Sequence, residues 1–449
     1  NGSVLALAED PADPNLVFAG TEFGLFFTVD AGKKWIQLKG GLPTIAVRDL
    51  AIQKRENDLV VATFGRGIYI LDDYTPLRNL KPEALKSPQL FPVKDAVMYI
   101  ESRPYGGRGK MFQGESFYTA ENPPYGAVLT YYLKDSLKSK KQQRQDAEKA
   151  AARAAEKAMA GGAEKAGEKP AAPPYPTNDQ LRAEAEERAP TVVMIVADAG
   201  GRVVRRMIAP ATAGIHRVAW DLRYPPGYLP PGRQADPEAD NPFNERIAGP
   251  LVLPGKYSVS VWEEIEGKMS QVAGPQSFSV TVLGSETMSD ADRATLVEFQ
   301  QKADRLQRAV IGALQTANDL KTRLGLMRRA IQEAPLAGTR LMEQQESIDK
   351  QNNDILLDLR GDVALRELSQ NTPQSISEQV SGIINDQRMS TQRPTQTQID
   401  TYRQAADEFT QQLARLRKLV EEDMPKLEKE LEAAGAPWIP GHLPVWTDK

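Results

Sequence analysis

The stretch Thr28-Val29-Asp30-Ala31-Gly32-Lys33-Lys34-Trp35 sets a hydroxyl, a carboxylate, a glycine and an indole at fixed offsets, in the form [Ser/Thr]-x-Asp-x-Gly-x-x-Trp. It closes a run of short apolar segments that recurs, without gaps, 43 residues later (Val4 to Val47). Val4, Leu7, Ala8, Leu16, Val17, Ala19, Gly24 and Asp30 fall on Val47, Leu50, Ala51, Leu59, Val60, Ala62, Gly67 and Asp73, and Leu25 and Phe26 fall on Ile68 and Tyr69. Alternation and β-branched or aromatic runs predict strands at 4–8, 16–20 and 25–29, and again at 47–52, 59–63 and 68–71. A period of about 40–45 residues built from short strands is the pattern of a β-propeller blade. Closure needs ~4–8 blades, so residues 1–95 are expected to be the last blades of an incomplete propeller, partnered by upstream blades of a parent chain.

Composition narrows the function classes. The 449 residues allow about three domains at ~150 residues each. A net charge of −4, with basic residues dispersed among acids, argues against nucleic acid as a partner. No run of ~18 apolar residues is present, so no membrane span is expected. Residues 1–8 enter a strand and do not resemble a signal peptide; for a secreted parent, the signal is expected upstream. There is no cysteine, which removes disulfides, thiolate nucleophiles and thiolate zinc sites. The two histidines, His216 and His442, are too few and too far apart for a zinc site, and poorly placed for a Ser-His-Asp triad. No cofactor or metal is expected.

In the segment Ala19 to Phe26 leading into Thr28, Asp30, Gly32 and Trp35, the chain resembles the Asp-box propellers of sortilin-like receptors, bacterial sialidases (BNR repeats) and xyloglucanase-type glycoside hydrolases. Thr28 departs from the usual Ser but keeps the hydroxyl. The second unit lacks the box and leaves the pattern at Pro76, as a last blade would. The resemblance implies a structural Asp-box at Thr28, Asp30, Gly32 and Trp35 on the outer rim. Asp30 accepts N–H bonds of its own turn, Gly32 permits the bend, and Trp35 packs on the blade. Asp72 and Asp73 are the better carboxylates for chemistry, yet neighbours in a strand point to opposite faces and cannot act as paired acid and base.

Residues 96–285 carry strand patterns at 127–133, 191–197, 202–208, 216–222, 253–262 and 277–283, the layout of an antiparallel β-sandwich. Ala197-Asp198-Ala199-Gly200-Gly201-Arg202, Gly214 to Asp221 and Pro254-Gly255-Lys256-Tyr257 resemble the Ig/fibronectin-like (FnIII) domain of the flagellar hook-cap type. There Trp-Asp is followed by Gly; here Trp220-Asp221 is followed by Leu222. Such domains are spacers or anchors, and Trp220 and Trp262 are expected in the core. Between the first two strands, residues 134–190 hold 12 basic and 10 acidic residues. This Ala/Glu/Lys-rich insertion has no apolar face and is expected to form an exposed helical arm or mobile loop. Residues 286–436 show apolar spacing of three and four with capping signals at Ser289, Ser375 and Thr395. Four helices result, the second running through Val363 and the fourth from 395 to Leu431, packed as an antiparallel bundle. The Pro/Trp tail, 437–449, is expected to pack back on another domain.

The fold class is thus multidomain β plus α. The resemblance implies a secreted, periplasmic or envelope-associated bacterial protein that binds protein or glycan, or serves assembly, with no self-contained active site in this fragment. The alternative is the C-terminal part of a propeller glycoside hydrolase whose carboxylates lie mostly upstream, since the needed pair about 5–10 Å apart is not identifiable here.

Overall fold

A computed structural model describes residues 2–81, 84–101, 114–116, 120, 122–160, 175–228, 248–284, 288–388, 390, 392–441 and 443. The Pro/Gly passage 104–109, the breaks at Gly161-Gly162 and Pro170–Pro174, most of the Pro-rich loop 224–250, His442 and the end of the tail lie outside the described residues. The chain is mixed β and α and forms two compact units. One comprises Asn1–Met98, Phe112–Leu222 and Pro254–Leu283; the other comprises Tyr99–Met111, Arg223–Leu253 and Gly284–Lys449.

The first unit opens with a four-stranded antiparallel sheet in sequence order: β1 (Val4–Glu9), β2 (Val17–Thr21), β3 (Gly24–Thr28) and β4 (Ile36–Leu38). A three-stranded sheet follows: β5 (Val47–Gln53), β6 (Asp58–Thr63) and β7 (Ile68–Leu71). β1 maps on β5, and β3 on β7, at the 43-residue offset, and the bulge at Val4/Ala6 recurs at Val47/Asp49. The middle strand departs from the gap-free alignment. Gly20 pairs with Leu25, whereas Ala62, one residue earlier than the offset places it, pairs with Ile68. The turn before β6 is one residue shorter and the turn after it one residue longer, so matched residue types conceal a one-residue slip that reverses which face each β6 side chain occupies.

The two sheets stack in one sense rather than back to back. Gly20 of β2 lies against Val47, and Leu25 and Phe27 share its face, 1% and 5% exposed. Opposite them Val47 and Leu50 are 0% and 8% exposed. The counterparts of these residues are open: Val4 and Leu7 at 58% and 66%, Ile68 and Ile70 at 66% and 59%. Each repeat therefore carries a strand-three apolar pair on one face and a strand-one pair on the other, and only the inner two meet. No fourth strand flanks β7 among the described residues; instead Arg217 donates to the carbonyls of Asp72 and Asp73 just beyond it.

The remainder of this unit is two further sheets. One has the order β13-β10-β8, with β8 (Gln89–Leu90), β10 (Ala127–Leu133) and β13 (Gly214–Trp220). The other has the order β12-β11-β14-β15-β9, with β9 (Ala96–Met98), β11 (Thr191–Asp198), β12 (Val203–Ala209), β14 (Gly255–Ile265) and β15 (Lys268–Val282). β15 begins nine residues earlier than the sequence predicts, because Glu266-Gly267 turns β14 directly into it as one long hairpin. Trp220 is fully buried and meets Tyr257 and Phe278 edge-on, with centroids 5.3 and 6.2 Å away, which joins the two sheets. Trp262 is only partly buried, its indole N–H on Ser260. The insertion forms α1 (Lys140–Ala160) and α2 (Asn178–Glu186). With no apolar stripe it is tied by charge: Arg144 forks onto Glu184 at 2.6 and 2.9 Å, and Lys140 reaches Glu266 at 2.5 Å.

The second unit is helical: α3 (Asp290–Glu333), α4 (Thr339–Arg360), α5 (Val363–Glu367), α6 (Ile376–Arg388), α7 (Gln396–Lys418) and α8 (Met424–Ala433). The expected stripes form its core, among them Leu324, Met327, Ile355, Leu359, Val380, Phe409 and Leu416. Two buried amides set the register of the antiparallel pair α3/α4: Asn352 donates to the Ala317 carbonyl and Gln345 to that of Leu324, each pair seven residues apart. The second helix stops before Val363, because Gly361 takes φ 81° and Asp362 caps α5. The fourth is interrupted at Leu419–Asp423 by a widened π turn, where Pro425, lacking an N–H and crowding the carbonyl four residues back, forces the ladder to open.

The stacking makes a direct prediction. A Cβ on Gly20 would stand 2.7 Å from Val47 Cγ1 and 2.9 Å from its carbonyl oxygen. Gly20→Ala is expected to cost ~1–3 kcal/mol in urea unfolding by wedging the sheets apart, whereas Gly40→Ala, with nothing within 4 Å, is expected to leave the midpoint within ~0.5 kcal/mol.

Candidate functional site

In the Thr28–Trp35 turn, Thr28 Oγ1 donates to Asp30 Oδ1 at 2.7 Å and accepts from the Gly32 N–H at 3.0 Å. The same carboxylate oxygen accepts from the Lys34 N–H at 2.9 Å. That backbone bond, and then the Thr28 hydroxyl, hold the Asp30 carboxyl below its ordinary range. Ala31 at φ 57° and Gly32 at φ 89° make the bend. Trp35 departs from the expectation that it packs on the sheet: it is 42% exposed and lies over Gly32 of its own turn. Two consecutive left-handed residues curl the loop back so tightly that the indole meets the glycine first. The four residues thus form one closed motif whose carboxylate is engaged within the turn.

A second polar centre was invisible in sequence because its members are 64 to 68 residues apart. Asp10, 2% exposed, accepts from Arg78 Nε and Nη2 at 2.6 and 2.7 Å and from the Tyr74 hydroxyl at 2.9 Å. Burial pushes the Asp10 carboxyl up, but the Arg78 and Tyr74 bonds outweigh it and hold it low. Tyr74 is pushed up to about 12 by burial and by the Asp10 carboxylate. Arg78 also donates to Asn57 Oδ1 at 2.8 Å. This knot ties the turn after β1 to the segment leaving β7. Nearby, Asp73 at φ 40° accepts from the Thr75 N–H and hydroxyl, a turn-forming role. Asp72 differs: burial, then the neighbouring Asp58 charge, raise its carboxyl against the pull of Arg217. Asp58 is the carboxylate whose charge acts on Asp72.

Within the helical unit, a small cleft is lined by Gln300, Asp304, Ile384, Gln387, Arg388 and the backbone of 248–250. Burial raises the Asp304 carboxyl to about 6, opposed by Arg388. Asp304 sits one turn from Gln300, whose amide donates to the Gln387 carbonyl at 3.2 Å. Asp304 carries no signal in the sequence, because a lone Asp on a helix has the pattern of a solvated face. Among the described residues, no group of three or more His, Cys, Asp or Glu could hold a metal, and no helix is long and apolar enough to cross a membrane.

Comparison with protein-family models, with curated proteins and with solved structures returns no match to this chain.

Two outcomes test the electrostatics. Arg78→Leu strands a buried carboxylate and is expected to cost ~3–5 kcal/mol, with Asp10→Asn in the same chain recovering part of it. Asp304 retains its proton longer folded than unfolded, so folding takes up a proton between its ordinary range near 3.8 and about 6. Its contribution is therefore fullest below that window and declines as pH rises through it. Relative to wild type, Asp304→Asn should gain ~1–2 kcal/mol between pH 4 and pH 7, read from urea midpoints.

Proposed function

We propose that residues 1–95 are the last blades of an Asp-box β-propeller, followed by an Ig/fibronectin-like sandwich at 96–285 and a helical bundle at 286–436. The protein then serves protein or glycan binding and assembly in the secreted, periplasmic or envelope space, with no self-contained active site in these residues. The observation that carries the reading is the one-sense stacking of two like sheets, whose inner faces use the strand-three pair of one repeat and the strand-one pair of the next. Radially repeated sheets pack in this way. The closed Thr28/Asp30 turn supports it, since that carboxylate is engaged within the turn rather than presented to a substrate. For the sandwich, Leu222 supports the resemblance: it holds φ 54°, a left-handed backbone suited to the glycine those relatives carry, and is retained here fully buried.

A second reading, part of a propeller glycoside hydrolase, is favoured by Asp72 alone, whose raised carboxyl beside Asp58 has the character of a general acid. Glycan and peptide arrays probed with the full chain discriminate the two. Binding without turnover is the expected result. Hydrolysis of model glycans that is lost in Asp72→Asn would transfer the protein to the hydrolase reading. An absence of both binding and turnover would sink both.

A further inference from the structure

The cleft in the helical unit, between α3, α6 and the backbone at 248–250, has a polar lining that is unevenly satisfied. Its backbone wall is engaged. Arg223 donates to the Gly249 carbonyl at 3.0 Å, the Tyr224 N–H to that of Pro250 at 2.9 Å, and Arg388 to that of Ala248 at 3.5 Å. Gly249 permits this close wall, since a Cβ there would stand 2.4 Å from the Tyr224 carbonyl oxygen. Two acceptors in the lining have no such donor. Gln387 is 4% exposed, and its neighbours fix the orientation of its amide. Gln398 Oε1 already accepts from the Thr395 N–H at 3.0 Å, so Gln387 turns its NH2 toward that oxygen, at 2.6 Å. Its own Oε1 is buried with no hydrogen-bond partner among the described residues. On the facing helix α3, the Asp304 carboxyl accepts no hydrogen bond among the described residues either.

We propose that this cleft binds the primary ammonium group of an amine, with its N–H bonds going to the Asp304 carboxylate and to Gln387 Oε1. The complement of a carboxylate and an amide oxygen is a cation that carries several N–H bonds. The space, about 20 Å³, admits one group of ammonium or water size. Ala303, Ile384 and Pro250 line it as well and suit the first carbons of an alkyl chain. A metal ion fits poorly, because the wall carbonyls are already bonded and a hard cation gathers about six oxygens or more. A water molecule satisfies both acceptors but leaves the Asp304 charge to Arg388 alone. The charged groups that line the cleft with Asp304 are Arg388, from α6, and Arg223, from the segment before the Pro-rich loop, each held on a backbone carbonyl. Burial raises the Asp304 carboxyl to about 6, whereas an alkylammonium, titrating near ~10 like lysine, stays charged. Binding is therefore full above pH 7 and declines as Asp304 takes up its proton. The site lies wholly within the helical unit and stands independently of the propeller reading.

Equilibrium dialysis of the full 449-residue chain against radiolabelled methylammonium, at constant ionic strength, tests this. One saturable site per chain is expected at pH 7.5, with affinity about tenfold weaker at pH 5. Asp304→Asn is expected to weaken it about tenfold or more, and Gln387→Leu, which removes the open oxygen, by less. Urea midpoints serve as the folding control. Tetramethylammonium, which carries the charge but no N–H, is expected not to compete. Nα-acetyl-lysine methylamide identifies the source of the ammonium group: competition stronger than that of unlabelled methylammonium assigns a lysine side chain, and weaker competition a free small amine. An absence of saturable uptake, the outcome for a cleft that holds water alone, overturns the proposal. Uptake unchanged in Asp304→Asn or in Gln387→Leu, or equal competition by tetramethylammonium, does the same.

Discussion

An apolar sheet face stabilises the fold when it is covered, and residues 1–71 hold two sheets with apolar side chains on both faces. Burying Leu25, Phe27, Val47 and Leu50 in their contact is worth about 1.5–3 kcal/mol per side chain, and Gly20 is the point where the backbones come close enough to allow it. The rest of the first unit depends on that contact. Just past β7, Arg217 of β13 captures the carbonyls of Asp72 and Asp73. Asp10, in the turn after β1, pairs with Arg78 and ties down the chain before it enters β8 and the paired sheets.

The same constraint explains why charged groups here are architectural. Asp10 is nearly removed from water, and a buried carboxylate is tolerable only with its partners in place; Arg78 and Tyr74 supply them. Asp30 is exposed to more solvent but is spent on its own turn. Asp72 differs: burial, and then the Asp58 charge, hold its proton more tightly against the pull of Arg217.

Legibility in sequence tracked the range of the interaction. The long helices were readable because their apolar residues recur every three or four positions, and the caps at Ser289, Ser375 and Thr395 are local. The break at Gly361 was missed because Val363 continues the spacing that Leu359 sets, although its side chain ends 39% exposed. β8 and β9, two and three residues long, have no local signature and exist only through pairing with β10 and β15. The slip of β6 was hidden because hydrophobic type repeats at 43 residues while turn length does not. Of the site, the Thr28/Asp30 turn was legible as a contiguous motif, whereas Asp10–Arg78 and Asp304–Arg388 join residues brought together only by folding.

Two repeats in series carry a geometric consequence. If the sheets had packed back to back, like faces would have met and the two exteriors would have been alike, both carrying strand-one pairs or both carrying strand-three pairs. They pack in one sense instead, so every added sheet covers one apolar face and presents another of the kind just covered. No finite open stack resolves this; only closure does, by rotation into a ring, or a change in the terminal faces to polar residues, as capping units of repeat proteins show. Ile68, Ile70, Val4 and Leu7 are not polar. The terminal faces of this pair therefore have the composition of interior surfaces.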